Sequence, residues 1–182
     1  MGFAQEREMA ERALDTLDCE NEHERAPFPP AADRILGARQ RLGLTQNEVA
    51  ARWGLPPSLY WDLELYDVEA FTVPSIGELT RLAVALETPL AVLLFGEEAP
   101  VGLETPSVSE VVELVRGRLE RAGDTVETLG QAVGWDLEPI LARPEALADY
   151  CVVGLRDICK AVGVDWVGVL LAPHWRARLT TR

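Results

Sequence analysis

The chain carries one helical pattern twice, and this internal repeat constrains its fold more than any other feature. Glycine and threonine positions recur eighty residues apart, pairing Gly43 with Gly123, Thr45 with Thr125 and Gly54 with Gly134. Apolar positions recur in the same frame, pairing Val49 with Leu129 and Trp53 with Val133. Self-similarity at a fixed spacing indicates two copies of one supersecondary unit.

Start and stop signals divide the first copy into five predicted helices. Gly43 ends the first helix, Thr45 and Glu48 form a capping box for the second, and Gly54 closes it. The remaining helices are predicted to begin at Pro56-Pro57-Ser58, at the Ser75/Glu78 capping box and after Thr88-Pro89, with a loop over 66–74.

The second copy follows the same plan with small differences. Asp124 and Glu127 are predicted to cap its second helix, and Pro144 to start one long helix that runs through Val162. Its last two helices align with the first copy at an offset of seventy-six, so about four residues are missing between its third and fourth helices. No segment alternates polar and apolar residues as a strand would, so we predict an all-α chain.

Composition divides the chain into five predicted parts. Residues 4–20 place Met9, Ala13 and Leu17 on one face among acids, which is typical of an amphipathic helix that needs a partner surface, either the protein body or a second copy. The parts are an acidic arm with a Pro-rich connector (1–30), a first helical domain (31–97), a linker (98–106), a second helical domain (107–172) and a basic tail (173–182).

The net charge of −13 is spread along the chain, and no segment supplies a large basic footprint. This argues against a strong non-specific grip on nucleic acid, which depends on Lys and Arg neutralising phosphates, although local placement can override net charge. The longest apolar run, Leu90 to Phe95, is too short to cross a bilayer, and Met1 to Glu11 lacks a secretory apolar region. We therefore expect a soluble cytoplasmic protein with no membrane partner.

Residues with catalytic or metal-binding chemistry are few. The two histidines, His23 and His174, assemble no nucleophile–base set, and no Gly-rich phosphate loop is present, so we expect no enzyme activity and no cofactor. Cys19 and His23 are spaced like two metal ligands, but a solvated acidic run explains them better. The expectation is no metal site. Cys151 and Cys159 lie among apolar residues and are expected to be buried thiols.

Residues 34–97 resemble the lambda-repressor and Cro-like helix-turn-helix domain, the class of xenobiotic-response-element-type regulators. The residues that carry this resemblance are Leu44-Thr45-Gln46, Glu48-Val49-Ala50, Gly54-Leu55, Leu63-Glu64, Val73-Pro74-Ser75, Leu79, Leu82-Ala83 and Leu86. Residues 107–171 resemble a degenerate copy. The resemblance implies two tandem five-helix bundles with an N-terminal helical arm.

The resemblance also implies a contact surface. In this family the second helix begins with a Gln that anchors the DNA backbone, and the third helix enters the major groove. Carried over to this sequence, these positions are Gln46 and, on the third helix, Ser58, Trp61 and Asp62, with Arg39, Arg41 and Arg52 as phosphate contacts. The third helix carries no basic residue, and Asp62 would accept hydrogen bonds only from the amino groups of cytosine or adenine.

Two functions therefore compete at this surface. In the first, the chain is a transcriptional regulator that binds double-stranded DNA through its first copy, as a homodimer or with the tandem copies as a pseudo-dimer. In the second, the surface binds a protein, as in an adaptor, antitoxin or anti-factor, with Trp61, Tyr60 and Tyr66 as aromatic anchors. A third interpretation makes Tyr60 a core residue and Trp61 a half-exposed aromatic without a partner.

The two termini carry further hypotheses. The acidic segment 4–24 could shield the arginines of the first copy, although an ordinary packing helix is the simpler interpretation. The basic tail, with Arg176, Arg178 and Arg182 beside Trp175, could contact nucleic acid, although a solvated tail or one that pairs with acids of its own protein is the simpler interpretation.

Overall fold

A computed structural model describes residues 29–96 and 106–172, and these residues are helical with no sheet. The all-α prediction is confirmed for this part of the chain. In the first half the helices are α1 (Ala32–Arg41), α2 (Gln46–Trp53), α3 (Pro57–Leu65), α4 (Glu69–Thr72), α5 (Ile76–Ala85) and α6 (Leu90–Phe95).

The second half repeats this order. It contains α7 (Val108–Ala122), α8 (Val126–Val133), α9 (Glu138–Ala142), a 3₁₀ helix (Pro144–Asp149), α10 (Val152–Ala161) and α11 (Trp166–Leu171). Within the described residues, none of these helices combines the length and apolarity that a membrane crossing requires. Residues 1–28 of the predicted arm and connector (1–30), residues 98–105 of the predicted linker (98–106) and the whole predicted tail (173–182) lie outside the described residues.

Capping boxes start four of the helices, because a hydroxyl at the N-cap satisfies a backbone N–H that the first turn leaves unpaired. The predicted boxes at Thr45/Glu48 and Ser75/Glu78 both form. Another joins Ser107 to Glu110 at the start of α7. The box predicted from Asp124 and Glu127 is wrong, since Thr125 is the N-cap of α8 and pairs with Thr128. A Thr–Thr box is harder to recognise in a sequence than the usual capping box, in which the third residue after the N-cap is Glu or Gln.

A left-handed glycine ends the second helix of each half. Gly54 and Gly134 adopt φ values of 82° and 77°, a region that L side chains rarely enter. After each glycine the chain folds back onto the preceding helix, with Leu55 N–H donating to the Ala50 carbonyl and Trp135 N–H to that of Gly130. The same short turn therefore joins the second and third helices in both halves.

The structure corrects the sequence prediction at two connections. The predicted loop over 66–74 contains the short helix α4. The long helix predicted from Pro144 through Val162 is broken: the 3₁₀ helix ends at Asp149, and α10 starts at Val152. The break occurs because Tyr150 and Cys151 are extended, with the Tyr150 carbonyl accepting a hydrogen bond from Ile76 N–H of the first half at 2.9 Å. The apolar residues of the sequence keep a helical spacing across Tyr150 and Cys151, although the hydrogen bond from Ile76 interrupts the helix there.

The missing residues of the second half lie in its third helix. Helix α3 has nine residues and α9 has five, a difference of four. The residues that follow, Pro144 to Asp149, occupy the place of α4 and lead into α10 as α4 leads into α5.

The two halves pack against each other reciprocally. Ser75 and Cys151, which precede α5 and α10 at equivalent positions, form an isolated antiparallel backbone bridge. Helix α4 packs against α10, while α5 packs against the 3₁₀ helix that is the counterpart of α4. The contact of α4 with α10 thus has a counterpart in the contact of the 3₁₀ helix with α5. This pairing of equivalent contacts is the pattern expected of a pseudo-two-fold axis through the Ser75–Cys151 bridge.

One hydrophobic core extends through both halves. Trp53, Leu82, Val112, Leu147 and Ile158 are all almost fully buried and belong to a single cluster of contacting side chains. Where the two halves meet, the ring centroids of Phe95 and Trp166 lie 6.0 Å apart. Because residues of both halves are buried in one cluster, we expect the stabilities of the two halves to be coupled.

The third-helix surface as candidate contact site

Helices α2 and α3 place the predicted contact residues of the third helix at the protein surface. Ser58 is exposed in the first turn of α3, Trp61 is 45 % exposed, and Asp62 is half-buried. We call these three residues the third-helix surface. Tyr60 points the other way and is fully buried against Trp53, with ring centroids 6.3 Å apart. The proposed aromatic cluster is therefore divided between the core and the surface.

Two other predicted residues, Arg39 and Gln46, meet inside the protein at Glu64. The Arg39 guanidinium donates to the Glu64 carboxylate through Nε at 2.5 Å and Nη2 at 2.8 Å, and its Nη1 donates to the Leu44 carbonyl. Gln46 Nε2 adds a third hydrogen bond to Glu64 at 2.8 Å. The side chain of Glu64 is only 4 % exposed. We call this set of hydrogen bonds among Arg39, Gln46 and Glu64 the brace. Because the brace joins α1, α2 and α3, it holds α3 in one orientation relative to α1 and α2.

The brace sets the protonation of the groups around it. Burial works to raise the pKa of Glu64, but the hydrogen bonds from Arg39 and Gln46 outweigh it and hold the pKa below its usual value. Burial, with the nearby Glu64 carboxylate, raises the pKa of the Tyr60 hydroxyl. Glu64 is consequently ionised and Tyr60 neutral at pH 7. Sequence reasoning gave Glu64 no such role, because Arg39 and Glu64 are twenty-five residues apart and only the tertiary fold brings them together.

The other two predicted phosphate contacts, Arg41 and Arg52, differ in whether the guanidinium is already hydrogen-bonded within the protein. Arg41 Nη2 donates to Thr88 Oγ1 at 2.7 Å and to the Leu86 carbonyl at 3.4 Å. Arg34, another cation of α1, donates to the Leu93 and Leu94 carbonyls. Arg52 is exposed at the end of α2, where its charge faces that of Glu48. Among the predicted phosphate contacts Arg39, Arg41 and Arg52, the structure shows a hydrogen bond for the first two and none for Arg52.

Large apolar side chains are exposed just after the third-helix surface. Five of the seven large exposed hydrophobic residues of the described chain fall between positions 61 and 73. We call these five the exposed apolar stretch: Trp61 45 %, Leu65 66 %, Tyr66 55 %, Val68 53 % and Val73 50 % exposed. Because these exposed apolar side chains are concentrated in one segment of the chain, we treat the segment as a candidate contact region.

The second half does not reproduce this site. Leu119 and Val126, both packed on the core, stand where the first half has Arg39 and Gln46. The shortening of α9 removes the counterpart of the helix end that holds Leu65 and Tyr66. Apolar residues thus stand in place of Arg39 and Gln46 of the ionic brace, and the exposed apolar stretch belongs to the first half.

A shallow cavity of about 450 Å³ lies at the turn between α8 and α9. Trp135 forms part of its wall, and Glu127, Asp136 and Glu138 surround it with acidic groups. The Tyr150 hydroxyl donates to the Asp136 carbonyl and fixes this turn. Negative charge at these positions opposes the approach of a phosphate backbone.

Potential metal ligands do not cluster in the described residues. No group of three or more His, Cys, Asp or Glu residues there has the arrangement of a metal site. Cys19, His23 and His174 lie outside the described residues. Burial raises the pKa of the Cys159 thiol to about 12, so this thiol is protonated and shielded at neutral pH.

No family model, curated protein or solved structure matches the chain at a significant level.

Proposed function

We propose that the chain is a regulatory protein of the lambda-repressor and Cro-like helix-turn-helix class, built from two tandem units, that binds double-stranded DNA through α2 and α3 of its first half. The observation that carries this proposal is the braced helix pair. Helices α2 and α3 are joined by a three-residue turn with Gly54 in the left-handed region, and α3 presents Ser58, Trp61 and Asp62 outward. The proposal includes no catalytic step and no cofactor.

Rigidity of the brace supports groove recognition. Since Glu64 binds both Arg39 and Gln46, the relative orientation of α1, α2 and α3 is set before any ligand arrives. A preorganised surface loses less conformational entropy on binding. In this arrangement Gln46 serves chiefly as part of the brace, and Ser58 and Asp62 carry base recognition.

The charge of the surface predicts an unusual binding mode. Arg52 is the predicted phosphate contact whose guanidinium forms no hydrogen bond in the described structure, so we expect very few phosphate contacts. Each neutralised phosphate contributes about −0.9 to the slope of log K against log salt, so the expected slope is about −1 to −2. Asp62 would select sites that present the amino group of cytosine or adenine.

Selection from a random duplex pool with the full chain tests this proposal directly. We expect enrichment of one short motif, a shallow salt slope, and a changed base preference in Asp62→Asn. Glu113→Gln, an acid-to-amide change on the exposed face of α7, is the matched control and should select the parent motif. Failure to enrich any motif over several rounds would overturn DNA binding.

A protein partner is the second candidate, and the exposed apolar stretch is the observation that favours it. Trp61, Leu65 and Tyr66 offer aromatic and aliphatic anchors of the kind that dominate protein interfaces. Under this proposal the chain is an adaptor, antitoxin or anti-factor. Its partner should bind the parent chain and a Val84→Ala control equally and lose affinity about tenfold or more in Trp61→Ala. A homodimer through this stretch would appear as a concentration-dependent mass in sedimentation.

A further inference from the structure

The cavity at the turn between α8 and α9 combines apolar walls with an acidic rim, and we call it the acidic cavity. Its volume of about 450 Å³ lies within the range of about 300–1,000 Å³ that is typical of ligand sites. Val126, Trp135 and Leu137 supply apolar lining, and Gly130 and Gly134 add backbone surface without a side chain. The space can therefore hold the apolar stem of a ligand as well as a charged group.

Negative charge surrounds this space without a compensating cation. Glu127, Asp136 and Glu138 line the acidic cavity and are exposed, and residues 122–142 contain four acids and no Lys, Arg or His. Asp136 Oδ1 accepts a hydrogen bond from Glu138 N–H at 3.0 Å, and Gln131 Nε2 donates to Glu127 Oε1 at 3.5 Å. Among the described residues, no cationic side chain forms an ion pair with any of the three carboxylates.

Helix ends explain part of this charge. Glu127 and Glu138 lie in the first turns of α8 and α9, where a carboxylate is favourable because it faces the positive end of the helix dipole. That effect acts on each carboxylate separately, and it does not account for the cavity that the carboxylates share with Trp135. An aromatic and aliphatic wall beside carboxylates is the chemistry that favours a cation carried on an apolar stem.

The walls are held in place by contacts within the second half. Trp135 Nε1 donates to Asp157 Oδ2 at 3.3 Å, and the indole lies against Gly154 of α10, where a Cβ would come within 3.2 Å of two ring atoms. The ring centroids of Tyr150 and Trp135 lie 6.0 Å apart, and the Tyr150 hydroxyl donates to the Asp136 carbonyl. A cavity fixed in this way loses little conformational entropy when a side chain enters it.

We propose that the acidic cavity binds an arginine side chain that projects from a basic segment of a partner protein. The aliphatic stem packs on Val126, Trp135 and Leu137, and the guanidinium faces the carboxylates, since this group suits both aromatic and carboxylate neighbours. A projecting side chain fits the shallow form of the cavity, because sites for free small molecules bury most of their ligand. The site lies in the second half and goes beyond the proposed function, which uses the first half.

Titration of the isotope-labelled full chain with a defined peptide tests this site by nuclear magnetic resonance. The chain has five tryptophans, and Trp135→Phe identifies the indole N–H signal of Trp135. The ligand is an acetylated and amidated pentapeptide of alanines with arginine at its second and fourth positions. Its counterpart carries citrulline, which has the shape of arginine without the charge. We expect the arginine peptide to shift the Trp135 signal saturably and to bind about tenfold or more tightly than the citrulline peptide.

Charge variants establish whether the peptide binds in the cavity. The double variant Glu127→Gln and Glu138→Gln removes two carboxylates of the rim and should weaken binding of the arginine peptide about tenfold or more. The matched control, Glu113→Gln with Glu120→Gln, makes the same change in net charge at exposed positions of α7 outside the cavity lining, and it should bind like the parent chain. A cooperative urea unfolding transition checks that both double variants are folded.

Equal binding of the arginine and citrulline peptides would overturn the proposal, and so would equal affinity in the parent chain and the cavity double variant. Absence of a saturable shift at about 10 mM peptide has the same meaning. If ethylguanidinium binds as tightly as the peptide, the cavity takes a free small cation and the partner segment is wrong. None of these outcomes involves DNA or the third-helix surface, so failure here is separate from failure of the proposed function.

Discussion

Arg39 and Glu64 form a bidentate ion pair inside the first half. The side chain of Glu64 is 4 % exposed and that of Arg39 is 16 % exposed. Breaking a buried pair by removing one partner leaves an uncompensated charge, at a cost of about 3–5 kcal/mol. We expect Arg39→Leu alone to lower the free energy of unfolding by about 3 kcal/mol, measured by urea denaturation.

The second half indicates how that loss can be reversed. Leu119 and Val126 fill the positions of Arg39 and Gln46, and no carboxylate faces them in α9. The triple change Arg39→Leu, Gln46→Val and Glu64→Leu should therefore recover most of the stability lost in the single variant, since well-packed apolar residues can replace a buried ion pair. A triple variant less stable than the single one would contradict this account of the brace.

Acid should weaken the brace in a defined pH range. The folded-state pKa of Glu64 is lowered, so its contribution is fully present above the unfolded pKa of about 4.3 and is lost as pH falls through the folded value. The free energy of unfolding, measured from pH 7 to pH 3, should fall below about pH 4.3. The difference between the parent chain and Glu64→Gln should shrink over the same range. A constant difference would show that Glu64 does not titrate with folding.

Gly130 is required by the turn that follows α8. A Cβ there would lie 2.8 Å from the Trp135 carbonyl oxygen, a backbone atom that cannot move without opening the turn. Gly130→Ala should destabilise by about 1–3 kcal/mol. Gly37→Ala is the matched control, because nothing lies within 4 Å of its Cβ in the middle of α1. That change should stabilise by about 0.5–1 kcal/mol in thermal or urea unfolding.

The shared core predicts that the halves unfold together. Cys159 is buried in the second half, and Leu82 in the first. Leu82→Ala should cost about 2–5 kcal/mol and should raise the rate at which a thiol reagent labels Cys159, since that label requires global opening. If the halves unfolded independently, labelling at Cys159 would match the parent chain while the first half melted early.

Local signals in the sequence predicted much of the fold because they act between near neighbours. The capping pairs Thr45/Glu48 and Ser75/Glu78 and the glycines at 54 and 134 each satisfy backbone groups within one turn, so their spacing alone places helix ends. The same logic failed at Tyr150, where apolar periodicity ran on but a hydrogen bond from Ile76 interrupts the helix. Nothing within a few residues of Tyr150 encodes that pairing.

The helical class, the internal repeat and the outward-facing Ser58 and Trp61 of α3 can all be predicted from local sequence patterns, because periodicity and caps are properties of neighbouring residues. Which charges remain accessible depends on the packing of distant helices. Arg39 and Gln46 meet Glu64, Arg41 meets Thr88, and Ser75 meets its equivalent Cys151. Such contacts depend on how helices distant in sequence cross, and packing of the whole core sets those crossings.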